Sequence, residues 1–177
     1  MELSSTAKVI LGMVALGRRT GYDIKQIVDK SSRYFWAASY GQIYPELKRL
    51  EEAGLLAGED DSQGGRSRRA YSLTPEGRRA FLDWLASGDE LTLELRDEGM
   101  LKLFFASALS DAQVQDLLRL QADRHEQIAS RLHEIEPAER PADDDFPFLV
   151  LDYGTAFHEW SADWYRKLAQ RIARRRQ

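Results

Sequence analysis

The sequence predicts a mainly α-helical chain interrupted by one small β-hairpin. Three observations predict it. Apolar residues recur at spacings of three and four through most of the length, as in Ile24, Ile27 and Val28, or Ile128, Leu132 and Ile135. One short stretch, Leu55 to Leu73, sets β-type residues on either side of the turn DSQGGR. A proline-bearing acidic run, EPAERPADDDFP, then separates two long helical patterns near the carboxy end.

Composition narrows the class. The chain has 177 residues, 43% of them hydrophobic, enough for one domain or two small ones. It has no cysteine, which excludes disulfides, thiolate metal sites and cysteine nucleophiles and suits a reducing compartment. No apolar run approaches the ~18 residues a membrane span needs. The amino terminus runs from Glu2 into an amphipathic pattern without a basic lead or cleavage site, so a cytoplasmic location is expected. Net charge is −4, yet residues 1–88 carry 13 Lys+Arg against 11 Asp+Glu while the remainder carries 12 against 18. The basic excess gathers at Lys48 and Arg49 and at Arg66, Arg68 and Arg69.

Taken in order, Val9–Leu16 is an apolar helical face stopped at Gly17, and Gly21–Lys30 resumes with Ile24, Ile27 and Val28 on one side. The segment SSRYFWAA brings Tyr34, Phe35 and Trp36 together before a third helix. Ser39 and Gln42 have the spacing of a capping box, so this helix is expected to begin at Tyr40, with Pro45 in its second turn and Gly41 leaving room for the distortion. Ile43, Leu47, Leu50 and Gly54 fall on one stripe. Gln42, Tyr44, Pro45 and Lys48 lie away from it, on a slim, polar and partly basic face suited to the major groove of DNA, though such a face is equally that of an ordinary solvated helix. After the hairpin, Thr74 and Pro75 have the N-cap and first-turn pattern that opens a fourth helix, with Phe81, Leu82, Trp84 and Leu85 expected inside. Three helices, a hairpin with a basic tip and a further helix make the order of a winged helix-turn-helix, assigned to residues 1–88.

The residues GYDI (21–24), YGQIYPELKRLEEAGLL (40–56), GRSRRAYSLTPEG (65–77) and EGMLKLFFA (98–106) resemble the PadR family of bacterial transcriptional regulators. The short motifs occur in other winged helices, but their combination is specific. The resemblance implies that Ser39 caps the recognition helix, that Tyr40, Gln42, Tyr44 and Lys48 face double-stranded DNA, and that Arg66 and Arg68 meet phosphates. Gln42 is then the expected base reader, because a carboxamide can pair with adenine through two hydrogen bonds. Arg69 is expected to pair with Glu59 or Asp60 across the hairpin instead. Ser67 departs from the family, whose members often have proline there.

Residues 89–177 read as a helical dimerisation domain. Met100, Leu101, Leu103, Phe104 and Phe105 are expected on a buried helix. Ser110 opens a long helix whose Val114, Leu118, Gln121, His125, Ile128, Leu132 and Ile135 form a coiled-coil-like seam. A last helix carries Phe157, Trp160, Trp164 and Tyr165 on so many sides that one chain offers too few partners. A homodimer is expected, with Leu118, His125, Ile128, Leu132, Phe157, Trp160 and Trp164 as its interface. The resemblance points the same way, to the longer subgroup that includes virulence-gene activators.

No catalytic constellation, metal site or cofactor motif is found. His125, His133 and His158 lack ligand spacing, Asp143 to Asp145 lack that of a calcium loop, and DSQGGRS lacks the end of a phosphate-binding loop. The reading is a repressor-type DNA-binding regulator, not an enzyme, working on an inverted repeat and open to tuning by a small-molecule effector. Tyr34, Phe35, Trp36 and Trp84 are candidate liners of an effector cavity, or simply core. A winged helix that binds only proteins is the alternative, and the basic wing speaks against it.

Overall fold

The computed structural model describes residues 3–30, 40–61, 68–88, 96–135 and 145–175. The chain forms two compact units, Met1–Leu91 and Thr92–Gln177. Ser39, Arg66, Ser67 and the aromatics Tyr34, Phe35 and Trp36 lie outside the described residues, as do Asp143 and Asp144.

In the first unit α1 (Ser5–Ala15), α2 (Gly21–Lys30) and α3 (Ile43–Glu52) pack around one core. The Ser4 hydroxyl accepts the Ala7 N–H at 3.0 Å to open α1, and Thr20 Oγ1 accepts that of Asp23 at 3.1 Å to open α2. Helices α1 and α3 end at Gly17 and Gly54, both with positive φ, which frees the chain to turn away. Ile10 and Leu11 of α1, Ile24 and Val28 of α2, and Ile43, Leu47 and Leu50 of α3 are almost wholly buried together. Each such side chain contributes about 2 kcal/mol of burial.

The hairpin pairs β1 (Leu56–Asp61) antiparallel with β2 (Arg68–Leu73), from Leu56 opposite Leu73 to Asp61 opposite Arg68. Its outer edge is not free. The Tyr71 N–H donates to the Arg19 carbonyl at 2.7 Å and Thr20 bridges Ala70, so the α1–α2 connection lies against β2. Thr74 then does three things. Its hydroxyl accepts the Gly77 N–H to cap α4 (Pro75–Leu85), it donates to the Gly54 carbonyl at 2.7 Å, and its own N–H reaches the Leu55 carbonyl. Start of α4 and exit of α3 are thereby tied. Phe81 and Trp84 lean on the core, but Leu82 and Leu85 are exposed, contrary to expectation. Only one side of α4 faces α1, and the periodicity that places Phe81 and Trp84 there rotates Leu82 and Leu85 outward.

The second unit is built on an antiparallel hairpin of α6 (Asp111–His133) and α7 (Phe146–Arg175), with α5 (Glu98–Phe104) beside α6. Ser110 and Gln113 form the reciprocal capping box that opens α6. At 30 residues α7 is about 45 Å long. Val114, Leu118, Ala122 and Tyr165 form the core, with Leu103, Trp164 and Leu168 against it.

Two expectations change here. The α6 seam is filled by α7 of the same chain, so Leu118, His125 and Leu132 are buried within one subunit and Ile128 is half-buried. And α5 is not a buried helix, because only Leu103 turns inward while Met100, Leu101, Phe104 and Phe105 are exposed, Phe104 by 80%. A seven-residue helix beside a two-helix hairpin has one neighbour to bury against, and its remaining faces stay open.

Farther along the hairpin His125 and His158 meet with Nδ1 atoms 2.8 Å apart, and His125 stacks on Tyr165, whose buried hydroxyl has no hydrogen-bond partner among the described residues. Desolvation holds both imidazoles below their ordinary range, His158 at about 4, where the neighbouring His125 and Arg124 add to the effect. Asp97 acts oppositely on His125. With both rings neutral one nitrogen donates and the other accepts, whereas a doubly protonated pair has no acceptor.

Two outcomes are expected. A Cβ at Gly77 would lie 1.9 Å from the Leu55 carbonyl oxygen, so Gly77→Ala should destabilise by roughly 2 kcal/mol in chemical denaturation. Elsewhere in a helix the same exchange stabilises by about 0.5–1 kcal/mol. For the histidine pair, the unfolded chain takes up protons near pH 6.5 while burial holds both folded imidazoles below that, His158 until about 4. Stability contributed by the neutral pair is therefore complete above pH 6.5 and lost as pH falls towards 4. Melting temperatures across that window should fall less steeply in His158→Gln, and an unchanged slope would place the pH dependence elsewhere.

Candidate nucleic-acid interface

Helix α3 leaves one face outward because Ile43, Leu47 and Leu50 commit the other to the core. A single 3-10 turn, Tyr40–Gln42, precedes it, and the α-helix proper begins at Ile43. This corrects the expected start and the expected role of the proline. Pro45 is the third residue of the helix, inside the first turn, where backbone N–H groups have no intrahelical acceptor. Its missing N–H therefore costs no helical hydrogen bond. Gln42 is exposed and occupies the N-cap position of α3 without a side-chain capping bond there, and the Ser39 half of the expected box lies outside the described residues.

Gln42, Tyr44 and Lys48 are exposed on the amino-terminal half of α3. Tyr44 does two things at once. One ring edge lies against the start of α2, where a Cβ at Gly21 would come within 2.7 Å of it, while the residue remains 58% exposed. Lys48 stands 3.6 Å from Glu52, an open pair that an incoming phosphate can replace.

Arg49 and Arg69 are instead held by carboxylates. Arg49 donates two hydrogen bonds to Glu46, which also accepts from the Ser4 hydroxyl at 2.6 Å, fastening α3 to the start of α1. The Arg49 bond, helped by Ser4, holds the Glu46 carboxyl below its usual range. Arg69 bridges Glu51 of α3 and Asp60 of β1, fixing the hairpin against α3. The Asp60 half of that bridge matches expectation, and Glu51 joins from outside the hairpin. Glu59 stands instead 4.0 Å from Arg19.

Arg68 differs from its neighbour. Strand alternation turns it the other way, and its guanidinium lies 5.7 Å over the ring of Tyr22 on α2, with no ion pair among the described residues. Tyr22 escaped the sequence reading. Its one signal is position, an aromatic residue opposite the Ile24–Val28 stripe, where a core role is excluded. Among the described residues no group of three or more His, Asp or Glu side chains is placed to hold a metal ion, and no helix is long and apolar enough to cross a membrane.

The family described as transcriptional regulator PadR-like matches residues 10–83, and the one described as virulence activator alpha C-term matches residues 95–173. The negative transcriptional regulator PadR of Bacillus subtilis (strain 168) is 35% identical over 124 residues, 70% of this chain and 68% of that one. The chain belongs to the PadR-like family of transcriptional regulators. Its function is therefore DNA-binding control of transcription. Among solved structures, Bacillus subtilis PadR in complex with operator DNA superimposes with a TM-score of 0.82 at 29% identity, over 94% of this chain and 98% of that one. The same PadR in complex with p-coumaric acid gives 0.78 at 28% identity, covering 96% of each chain. The virulence activator AphA of Vibrio cholerae gives 0.70 at 25%, over 95% of this chain and 98% of that one. The two family matches flank the division between the units at Leu91, so winged helix and helical hairpin are separate modules of one PadR-like regulator.

Proposed function

We propose that this PadR-like regulator is a homodimeric repressor that reads an inverted-repeat operator. The observation that carries the reading is the amino-terminal half of α3, with Gln42, Tyr44 and Lys48 outward and Arg68 of the hairpin unpaired with any carboxylate among the described residues. In this reading Gln42 contacts a base edge, Tyr40, Tyr44 and Lys48 place the helix in the groove, and Arg66 and Arg68 hold backbone phosphates, with Ser39 ahead of the helix. The protein acts by binding and performs no catalytic step, in the compartment that holds the DNA.

A single winged helix touches few base pairs, and a two-fold pair of them reads half-sites about one helical turn apart. The second unit supports such a pair. Phe157 and Trp160 are exposed on α7 and Trp164 is half-buried, while Leu101, Phe104 and Phe105 are exposed on and just after α5. That much open apolar surface in a small unit is the mark of an interface. In this division of labour Leu118, His125, Ile128 and Leu132 shape the hairpin whose outer surface pairs. The name of the Bacillus relative, a negative regulator, supports repression, and its complex with p-coumaric acid makes phenolic acids the first effector class to try.

Gel shift and fluorescence anisotropy with duplexes from the gene's own upstream region should show specific binding that weakens steeply with salt. Lys48→Ala should weaken all duplexes alike and reduce the salt slope by about one, whereas Gln42→Ala should relax preference at one base position by roughly 1–3 kcal/mol. Unchanged binding in both would refute the assignment. For the dimer, Trp160→Glu is expected to shift the mass measured by light scattering from two chains to one, and wild-type protein running as a monomer would overturn this half of the reading.

A further inference from the structure

We propose that Tyr22, the second residue of α2, forms with Arg68 a subsite for a DNA backbone phosphate that lies off the recognition helix, the ring serving as the seat that aims the guanidinium. The proposal rests on the DNA-binding reading above and adds to it a contact from α2.

Four observations bring the two residues together. Tyr22 is 51% exposed although aromatic, and it stands on the side of α2 opposite Ile24 and Val28, so no core claims it. Its hydroxyl accepts a hydrogen bond from Gln26 Nε2 at 2.7 Å, one turn along the same helix. A phenol has a single proton, and with Gln26 supplying the donated bond that proton remains for an acceptor outside the protein. The Arg68 guanidinium lies 5.7 Å from the ring centroid and makes no ion pair among the described residues.

The contrast with Arg69 sharpens the inference. Both arginines occupy adjacent positions of β2, yet Arg69 is claimed by Glu51 and Asp60, whereas Arg68 has an uncharged support. A carboxylate under Arg68 would cancel the charge a phosphate needs. A ring orders the same side chain without cancelling it, and it leaves the guanidinium donors for the paired oxygens of a phosphate. The Gln26 bond to the hydroxyl in turn holds the ring in place. Ordering both groups before DNA arrives spares the complex part of the side-chain entropy it would otherwise lose. Phosphate is the ligand such a site fits, being an anion able to accept from a guanidinium and a phenol together.

The test is binding of operator duplex by the full chain across a salt series, with circular dichroism and melting as fold controls. Tyr22→Ala is expected to weaken binding about fivefold, the scale of an exposed cation–π contact, and Arg68→Ala roughly tenfold. In the double variant the loss should stay near that of Arg68→Ala rather than reach the product. Tyr22→Ala should also lower the slope of log affinity on log salt by up to one although it removes no charge, a change that a merely structural role would not produce. Tyr22→Phe keeps the ring and should recover most of the slope while losing about twofold through the hydroxyl. Multiplying losses, an unchanged slope in Tyr22→Ala, or a Phe variant as weak as the Ala one would each overturn the proposal. Wild-type protein that binds no duplex would instead bring down the DNA-binding reading itself. Should Tyr22→Ala melt early, Arg68→Lys serves in its place, because it keeps the charge and removes the planar group that the ring supports.

Discussion

The burial of Ile43, Leu47 and Leu50 against α1 and α2 is the constraint on which the rest of the molecule depends. These three side chains fix the rotation of α3 about its own axis. With that rotation set, Gln42, Tyr44 and Lys48 have no alternative to facing outward. A turn of one residue would carry about 100° of helix surface with it, replacing a slim polar face by an aliphatic one. In the proposed reading, recognition is thus decided by what the helix hides, and the large share of core stability invested in these residues protects the geometry of the exposed side.

Electrostatics makes the second selection. A chain of net charge −4 can bind DNA only if its cations are sorted, some spent inside the protein and some left for phosphates. Carboxylates do the sorting. Glu46 takes Arg49 and Glu51 takes Arg69, and both pairs lie towards the middle and carboxy end of α3, where they lock it to the start of α1 and to the hairpin. Among the described cations of α3 and the hairpin, those left over are Lys48, in a loose pair, and Arg68, on a tyrosine ring. They flank the amino-terminal half of α3. The acidic residues around the recognition helix, which at first sight oppose DNA binding, are part of what holds the hairpin and helix in register.

Much of this was legible in the sequence, and the failures have physical causes. The α3 stripe, the Ser110 cap, the Thr74–Pro75 start and the hairpin are all local patterns, set by contacts within a few residues, and the structure has each of them. The helix expected to begin at Tyr40 opens instead with a 3-10 turn over Tyr40–Gln42, whose backbone bonds close at shorter range than those of an α-helix. Spacing cannot distinguish the two. Partners far apart in sequence were harder still. Glu51 lies 18 residues from Arg69, and Tyr22 is even further from Arg68, so neither pairing leaves a periodic trace. The α6 seam was read correctly as apolar, yet a seam looks the same whether its partner is a second subunit or the next helix of the same chain.

That last ambiguity bears on how the second unit is built. Once α7 has filled the seam of α6, the hairpin has satisfied its long apolar stripe and still leaves Trp160 62% exposed and Phe157, at the edge of the contact with His125, 38% exposed. Two helices can bury only the surface between them, and a 30-residue helix with aromatic residues on several faces necessarily has some left over. Leu101 and Phe104 on α5, and Phe105 at its end, enlarge the open apolar area. Water contact over so much aromatic surface is unfavourable at about 25 cal/mol per Å². In the proposed dimer a second copy of the same hairpin would supply a surface of matching chemistry by symmetry alone, and a two-fold axis through that contact would also be the symmetry an inverted-repeat operator presents.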